Sequence, residues 1–177
     1  MTVDHDHDAR ARESAAAPPA PEHAITMTVL MSPDMANFSG NVHGGAILRI
    51  LDQVAYACAS TFARSYVVTL SVDRVLFREA IHVGELVTFS AAINYTGRTS
   101  MEVGIRVDTV EPRTGVTRHT NSCYFTMIAV DGAGNPVQVP QLRPRNPLAV
   151  RRYEDARRRR RAQRRQFEGE HACEPTE

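Results

Sequence analysis

Lysine and tryptophan are both missing from this chain of 177 residues, so all 21 basic side chains are arginine. The missing lysine is read as a bias of composition, without functional content. Cysteine is scarce: Cys58, Cys123 and Cys173 are odd in number and widely spaced, with no Cys-x-x-Cys pair. That pattern argues against a disulfide framework and for reduced thiols in a cytoplasm. No apolar run approaches the roughly 18 residues of a membrane span, and the N-terminus has no apolar signal core. The expected location is therefore cytoplasmic, with no membrane partner. Gly-x-Ser-x-Gly is absent, which disfavours a serine hydrolase. There are no internal repeats and no legible helix-turn-helix for reading DNA.

What is present suffices for one domain with a real core, since 42% of the residues are hydrophobic. The net charge of +1 conceals an asymmetry. Residues 1–142 carry 10 arginines against 14 acids, and residues 143–177 carry 11 against six. Residues 1–22 are rich in Ala, Pro and Asp and are expected to be a disordered tail. His5 and His7 alternate there with Asp4, Asp6 and Asp8, but a floppy tail without a third preorganised ligand is read as solvated, and no metal site is expected. Arg157 to Arg161 form an unbroken run on an expected helix over 148–168. The run lacks interleaved aromatics, so it is not read as a nucleic-acid site.

The chain is organised around Asn37 to Arg64, NFSGNVHGGAILRILDQVAYACASTFAR. A polar, glycine-rich opening turns into a long apolar helix at Gly44-Gly45. Such a terminus exposes unpaired N–H groups and the positive end of the helix dipole, which suits an anion or a polarised carbonyl oxygen. Two turns on stands Asp52, beside Leu48, Ala55, Ala59 and Phe62 at the border of the apolar arc. A carboxylate there is expected to be partly desolvated, which raises its proton affinity as a general base requires. The alternative is that Asp52 only pairs with Arg49. His43 is read either as a base or as a cap or packing group.

Ile25 to Met31 reads as a first strand, and 66–77, 85–96, 99–110 and 116–130 as four more. Thr96-Gly97-Arg98 makes a short hairpin connection between the middle two. One strand, a long helix and a run of antiparallel strands is an α+β pattern. The expected architecture is a five-stranded antiparallel sheet wrapped around one mostly buried helix, with an Arg-rich C-terminal helix. The expected divisions are a tail at 1–22, a domain at 23–142 and a basic helical tail at 143–177.

GNVHGG, LDQVAYA, VTLSVDRVLF, VGE, YTGRTSMEVGIRV, YFTMIAVD and VPQL occur in that order. Together they resemble the acyl-CoA thioester hydrolases of the hotdog fold, the brain acyl-CoA hydrolase type and its single-domain bacterial relatives. The resemblance covers about Thr26 to Arg165. It implies hydrolysis of acyl-CoA, no cofactor, a homodimer joined edge to edge, and trimers of such dimers with sites at the dimer interface. It pairs an Asn of one domain with an Asp of another, which places Asn41 and Asp52 in the site, with Asn37 also in the motif region. Asp52 is then general base or nucleophile, and N–H groups near Gly44 and Gly45 are oxyanion donors. Arg78, Arg98, Thr99, Ser100 and Arg118 are candidates for holding coenzyme A, with the Arg-rich tail either recruiting that polyanion or packing across a neighbouring dimer. An enoyl-CoA hydratase-like enzyme and a non-catalytic acyl-CoA-binding module are the rival readings.

Overall fold

The computed structural model describes residues 24–73, 75–77 and 79–171, with side chains as far as Arg165. The N-terminal tail with its His5–His7 pair, Arg78 and Cys173 lie outside the described residues. Alternating β-branched stretches form five strands: β1 (Ala24–Leu30), β2 (Tyr66–Asp73), β3 (Leu86–Thr96), β4 (Ser100–Val110) and β5 (Thr117–Val130). They pair antiparallel in the order β1-β3-β4-β5-β2. A helix, α1 (Gly44–Ala63), packs on one face of this sheet, and a second, α2 (Pro147–His171), follows the last strand.

Helix α1 buries Ile47, Ile50, Leu51, Val54, Ala55, Cys58 and Ala59. These meet the inward residues of the central strands, among them Phe89, Val103, Ile105, Phe125 and Met127. The spacing follows the 3.6-residue period of a one-sided helix. The helix ends at Arg64, whose left-handed backbone (φ 53°) lets its N–H reach the Ser60 carbonyl. The expected wrapping is incomplete. Leu48, Asp52 and Tyr56, one stripe at i, i+4 spacing, stay exposed on the single chain. The sheet covers one side of α1 only, because β2 ends the sheet.

Strand β2 leaves the order of the chain and pairs with β5 at the far edge. Its expected extension to residue 77 stops at Asp73. A register shift between Thr69 and Ser71 bends the strand at Leu70, and residues 75–77 lie outside any strand. Tyr66, Val68, Leu70 and Val72 are all exposed along this edge. An edge strand with four exposed large apolar side chains is a template for pairing with another chain.

The segment expected as a basic tail is not loose. Helix α2 lies on the sheet face opposite α1, with Ala156 fully buried. Tyr153 stacks against Tyr95 of β3 at 5.1 Å. Arg159 lies 3.7 Å from the Tyr124 ring centre and binds the buried Glu102 carboxylate at 2.6 Å. Asn94 donates to the same carboxylate at 3.2 Å. Gln163 donates to Asp73 at the end of β2. Burial, and after it the charge of Glu102, push the Asp73 carboxyl up from its usual value. Arg159→Met should therefore strand a buried carboxylate. Because Arg159 keeps some solvent contact, we expect a loss of about 2 kcal/mol, below the full cost of breaking a buried pair. Thermal unfolding should show a fall of roughly 4–8 °C, with much of it restored by adding Glu102→Gln.

Candidate active site

Because α1 runs out along the sheet and β2 returns beside it, the stretch after α1 lies alongside the helix in reverse. Thr69 thus comes beside Asp52, and its hydroxyl donates to Asp52 Oδ1 at 2.6 Å. No salt bridge joins Asp52 to Arg49. Further along, a Cβ on Gly44 would sit 3.5 Å from the Phe77 ring, so Phe77 stands against the start of α1. At the other end, Tyr56 meets Tyr66 edge-on at 6.1 Å. Leu48 and Tyr56 thus lie exposed beside the unpaired β2 edge with the Asp52 carboxylate between them, an open strip, or trough, along α1. The expected desolvation of Asp52 is not supplied by its own chain, since the residue is exposed.

The loop before α1 is organised by side chains. Asn37 Oδ1 accepts from the backbone N–H of Ser39 at 2.9 Å and of Asn41 at 3.2 Å. Two N–H donors on one atom fix that atom as oxygen, so the Asn37 NH2 group is the end left to donate. Asn41 is held differently, with Oδ1 2.9 Å from His82 Nδ1. His43 is the N-cap of α1, and its Nδ1 accepts from Gly45 N–H at 2.9 Å. A ring nitrogen that caps the helix in this way is occupied by the Gly45 amide and is not turned toward the trough as a base. The Gly45 N–H is therefore engaged, and Gly44 presents the first amide of the helix.

The candidates for holding an anion separate. Arg118 is bound by Glu79 at 2.9 Å and by buried Glu85 at 2.5 Å, so its charge is already paired within the chain. Arg98 is exposed at the β3–β4 turn. Thr99 and Ser100 serve the turn through their backbone, Ser100 accepting from Gly97 N–H at 2.7 Å and Thr99 from Ala129 N–H at 3.0 Å. The Arg160 guanidinium reaches the same turn, within 3.4 Å of where a Gly97 Cβ would stand. Cys58 and Cys123 are both buried and pushed up to about 12 by that burial, so neither offers a thiolate.

Comparison with known proteins places this geometry. The Thioesterase superfamily profile matches residues 39–116, which span the Asn41 loop, α1, β2, β3 and β4. Protein VdlD of Helicobacter pylori is 48% identical over 132 residues, 75% of each chain. A hexameric acyl-CoA thioesterase has the same fold, with a TM-score of 0.80 and 35% identity over 84% of this chain and 96% of its own. The chain belongs to the hotdog-fold acyl-CoA thioester hydrolases. Another structure of this family, the acyl-CoA hydrolase of Staphylococcus aureus solved with butyryl coenzyme A, coenzyme A and coenzyme A disulfide, has a TM-score of 0.76 and 26% identity. It is covered over 93% of its length by 85% of this chain.

Three residues beside the trough and the β3–β4 turn escape a reading of this hydrolase-family sequence. Thr69 is one β-branched residue among several in Tyr66–Asp73, and only the return of β2 along α1 brings it to Asp52. His82 and Arg160 are distant in sequence from the groups they meet. Thr69→Val keeps the shape and removes the donor. We expect kcat for thioester hydrolysis to fall about tenfold, near the worth of one hydrogen bond to a charged group, with KM changed little. Steady-state rates at saturating substrate check this.

Proposed function

We propose that this chain is an acyl-CoA thioesterase, releasing free coenzyme A and a carboxylic acid in a site shared by two copies paired along β2. The observation that carries this reading is the Thr69–Asp52 bond in the floor of the open trough. It fixes one carboxylate oxygen and leaves the other for a water. A second copy on the β2 edge would cover the trough, removing solvent from Asp52 and closing apolar walls around an acyl chain.

In the proposed reaction Asp52 takes a proton from water, and the water oxygen bonds to the thioester carbonyl carbon. The carbonyl oxygen becomes an oxyanion, held by the Gly44 N–H and the positive end of α1, where one good donor is worth about 3 kcal/mol of barrier. The tetrahedral intermediate collapses, the carbon–sulfur bond breaks, and the thiolate leaves with the proton from Asp52. The Asn37 amide of the partner copy orients the water or the carbonyl. His43 acts as a cap that holds the loop–helix junction.

Support for Asn37 over Asn41 comes from its locked amide and from spacing. The Staphylococcus aureus enzyme has also been solved with alanine replacing an aspartate, a threonine and an asparagine. Those positions stand at the same mutual spacing as Asp52, Thr69 and Asn37 do here. Arg98 and Arg160 at the β3–β4 turn are the arginines best placed to grip the coenzyme phosphates. The hexameric relative supports an assembly of three such dimers. Among the described residues no helix is long and apolar enough to cross a membrane, and two buried free thiols suit a reducing cytoplasm.

Incubation with an acyl-CoA series and a colorimetric thiol reagent tests the activity. Thiol release with a saturated acyl-CoA supports the proposal. Hydration of an enoyl-CoA without thiol release would replace it with a hydratase, and binding without turnover with a carrier module.

A further inference from the structure

Helix α2 is aimed at the open edge of the sheet. Tyr153 contacts Tyr95 on β3, Arg159 contacts Glu102 on β4 and Tyr124 on β5, and Gln163 contacts Asp73 on β2. Ten residues of helix rise about 15 Å, and the three strand spacings from β3 to β2 come to about 14 Å. The helix therefore runs nearly perpendicular to the strands. It does not stop at β2, because it continues to His171. Those last residues reach about 12 Å past Gln163, enough to pass over two strands of a neighbouring sheet.

On the same face, at the opposite end of β2, there is an unfilled groove of about 600 Å³. Ser65, Tyr66, Val68, Val130, Asp131 and Gly132 line it. Tyr66 pairs with Val130 and Val68 with Ile128, which alternate along β5 in step with Tyr124, so the groove's backbone shares the face on which α2 lies, while the Tyr66 ring turns round the edge to meet Tyr56. Tyr66 and Val68 are exposed there. A chain's own helix end and its own groove are separated by the length of β2, about 23 Å. Two copies related by a two-fold axis pair their edge strands antiparallel, which sets the Asp73 end of one β2 beside the Tyr66 end of the other.

We propose that the C-terminal end of α2 docks across the β2 edge into the Tyr66–Val130–Asp131 groove of the second copy, so that two helices clasp the dimer reciprocally. This rests on the β2-edge pairing proposed above. The chemistry is complementary: Arg164 and Arg165 are exposed in the overhanging turn, and Asp131 is an exposed carboxylate at the groove's rim. Backbone N–H groups of Asn135 and Ala133 hold Asp131 below the usual carboxylate range, so it is ionised at neutral pH. Reach, face and charge agree on this one occupant.

The test is a cysteine pair in the full chain with Cys173→Ser, combining Arg165→Cys with Gly132→Cys. A Cβ at Gly132 meets nothing within 4 Å, so the substitution fits. Mild oxidation should give a covalent dimer on a non-reducing gel, and several-fold less from either single variant. Adding Asp131→Arg should cut the yield several-fold. Truncation after Gln163 keeps the bond to Asp73 and should raise the dimer dissociation constant about tenfold. A dimer by sizing that neither cross-links nor loosens on truncation overturns the docking and leaves the shared site standing. A covalent ladder beyond the dimer places the helix on a different copy and also overturns it. A monomer by sizing removes the β2 pairing and the docking together.

Discussion

Asp52→Asn should reduce kcat for acyl-CoA hydrolysis by about 10²–10⁴-fold, the usual worth of a positioned general base. The substitution preserves size, and the new amide oxygen still accepts from the Thr69 hydroxyl that now binds Asp52 Oδ1. The fold, the thermal midpoint and the affinity for coenzyme A should accordingly change little. Rates from thiol release, set beside a binding isotherm for coenzyme A, separate lost chemistry from lost binding. A variant that kept most of its kcat would leave the proposed chemistry without its base.

Asn37→Asp should be the second severe loss, about 10²–10³-fold in kcat, as for removal of one preorganised donor. Aspartate is chosen over alanine for a structural reason. The Asn37 oxygen holds the N–H groups of Ser39 and Asn41, and a carboxylate can keep both while losing the NH2. Asn41→Ala should cost less, because its oxygen is occupied at His82. The reverse ranking would return the role to Asn41. Sharing of the site has its own signature. Mixing Asp52→Asn subunits with Asn37→Asp subunits should recover roughly one quarter of full activity after random exchange, since one site of each mixed dimer keeps both groups. No recovery, with exchange demonstrated by sizing of tagged subunits, would mean that each site lies within one chain.

The period of the apolar residues made α1 legible, and alternating β-branched runs with glycine turns made all five strands legible. What the sequence hid was which surfaces are left open. Leu48 and Tyr56 look like core on a helical projection, so Asp52 between them looked half-buried. The structure leaves all three exposed, because the sheet ends at β2 and nothing among the described residues of the single chain covers that side of α1. Val75-Leu76-Phe77 continues the β-branched pattern of β2, yet the bend at Leu70 ends the ladder at Asp73, and Phe77 goes to the start of α1 instead. Arg118 shows its charge in the sequence but not Glu79 and Glu85, which arrive from the segment between β2 and β3 to bind it. Asp52 stands out in the sequence as the lone acid of an apolar helix. Thr69 does not, because only the return of β2 along α1 brings its hydroxyl to Asp52.

The contacts of α2 also bear on when the protein becomes whole during synthesis. Glu102 waits for Arg159 and Asp73 for Gln163, partners separated by 57 and 90 residues of sequence. A nascent chain can complete its sheet and first helix while one face still carries Glu102 and Asn94 bare to water. Only α2, made after the sheet and α1, covers that face. The same helix ends at the edge where a second copy would join, so a chain released early would lack both its own lid and its reach toward a neighbour. Quality control that inspects exposed sheet faces would therefore distinguish chains that carry α2 from those cut short before it.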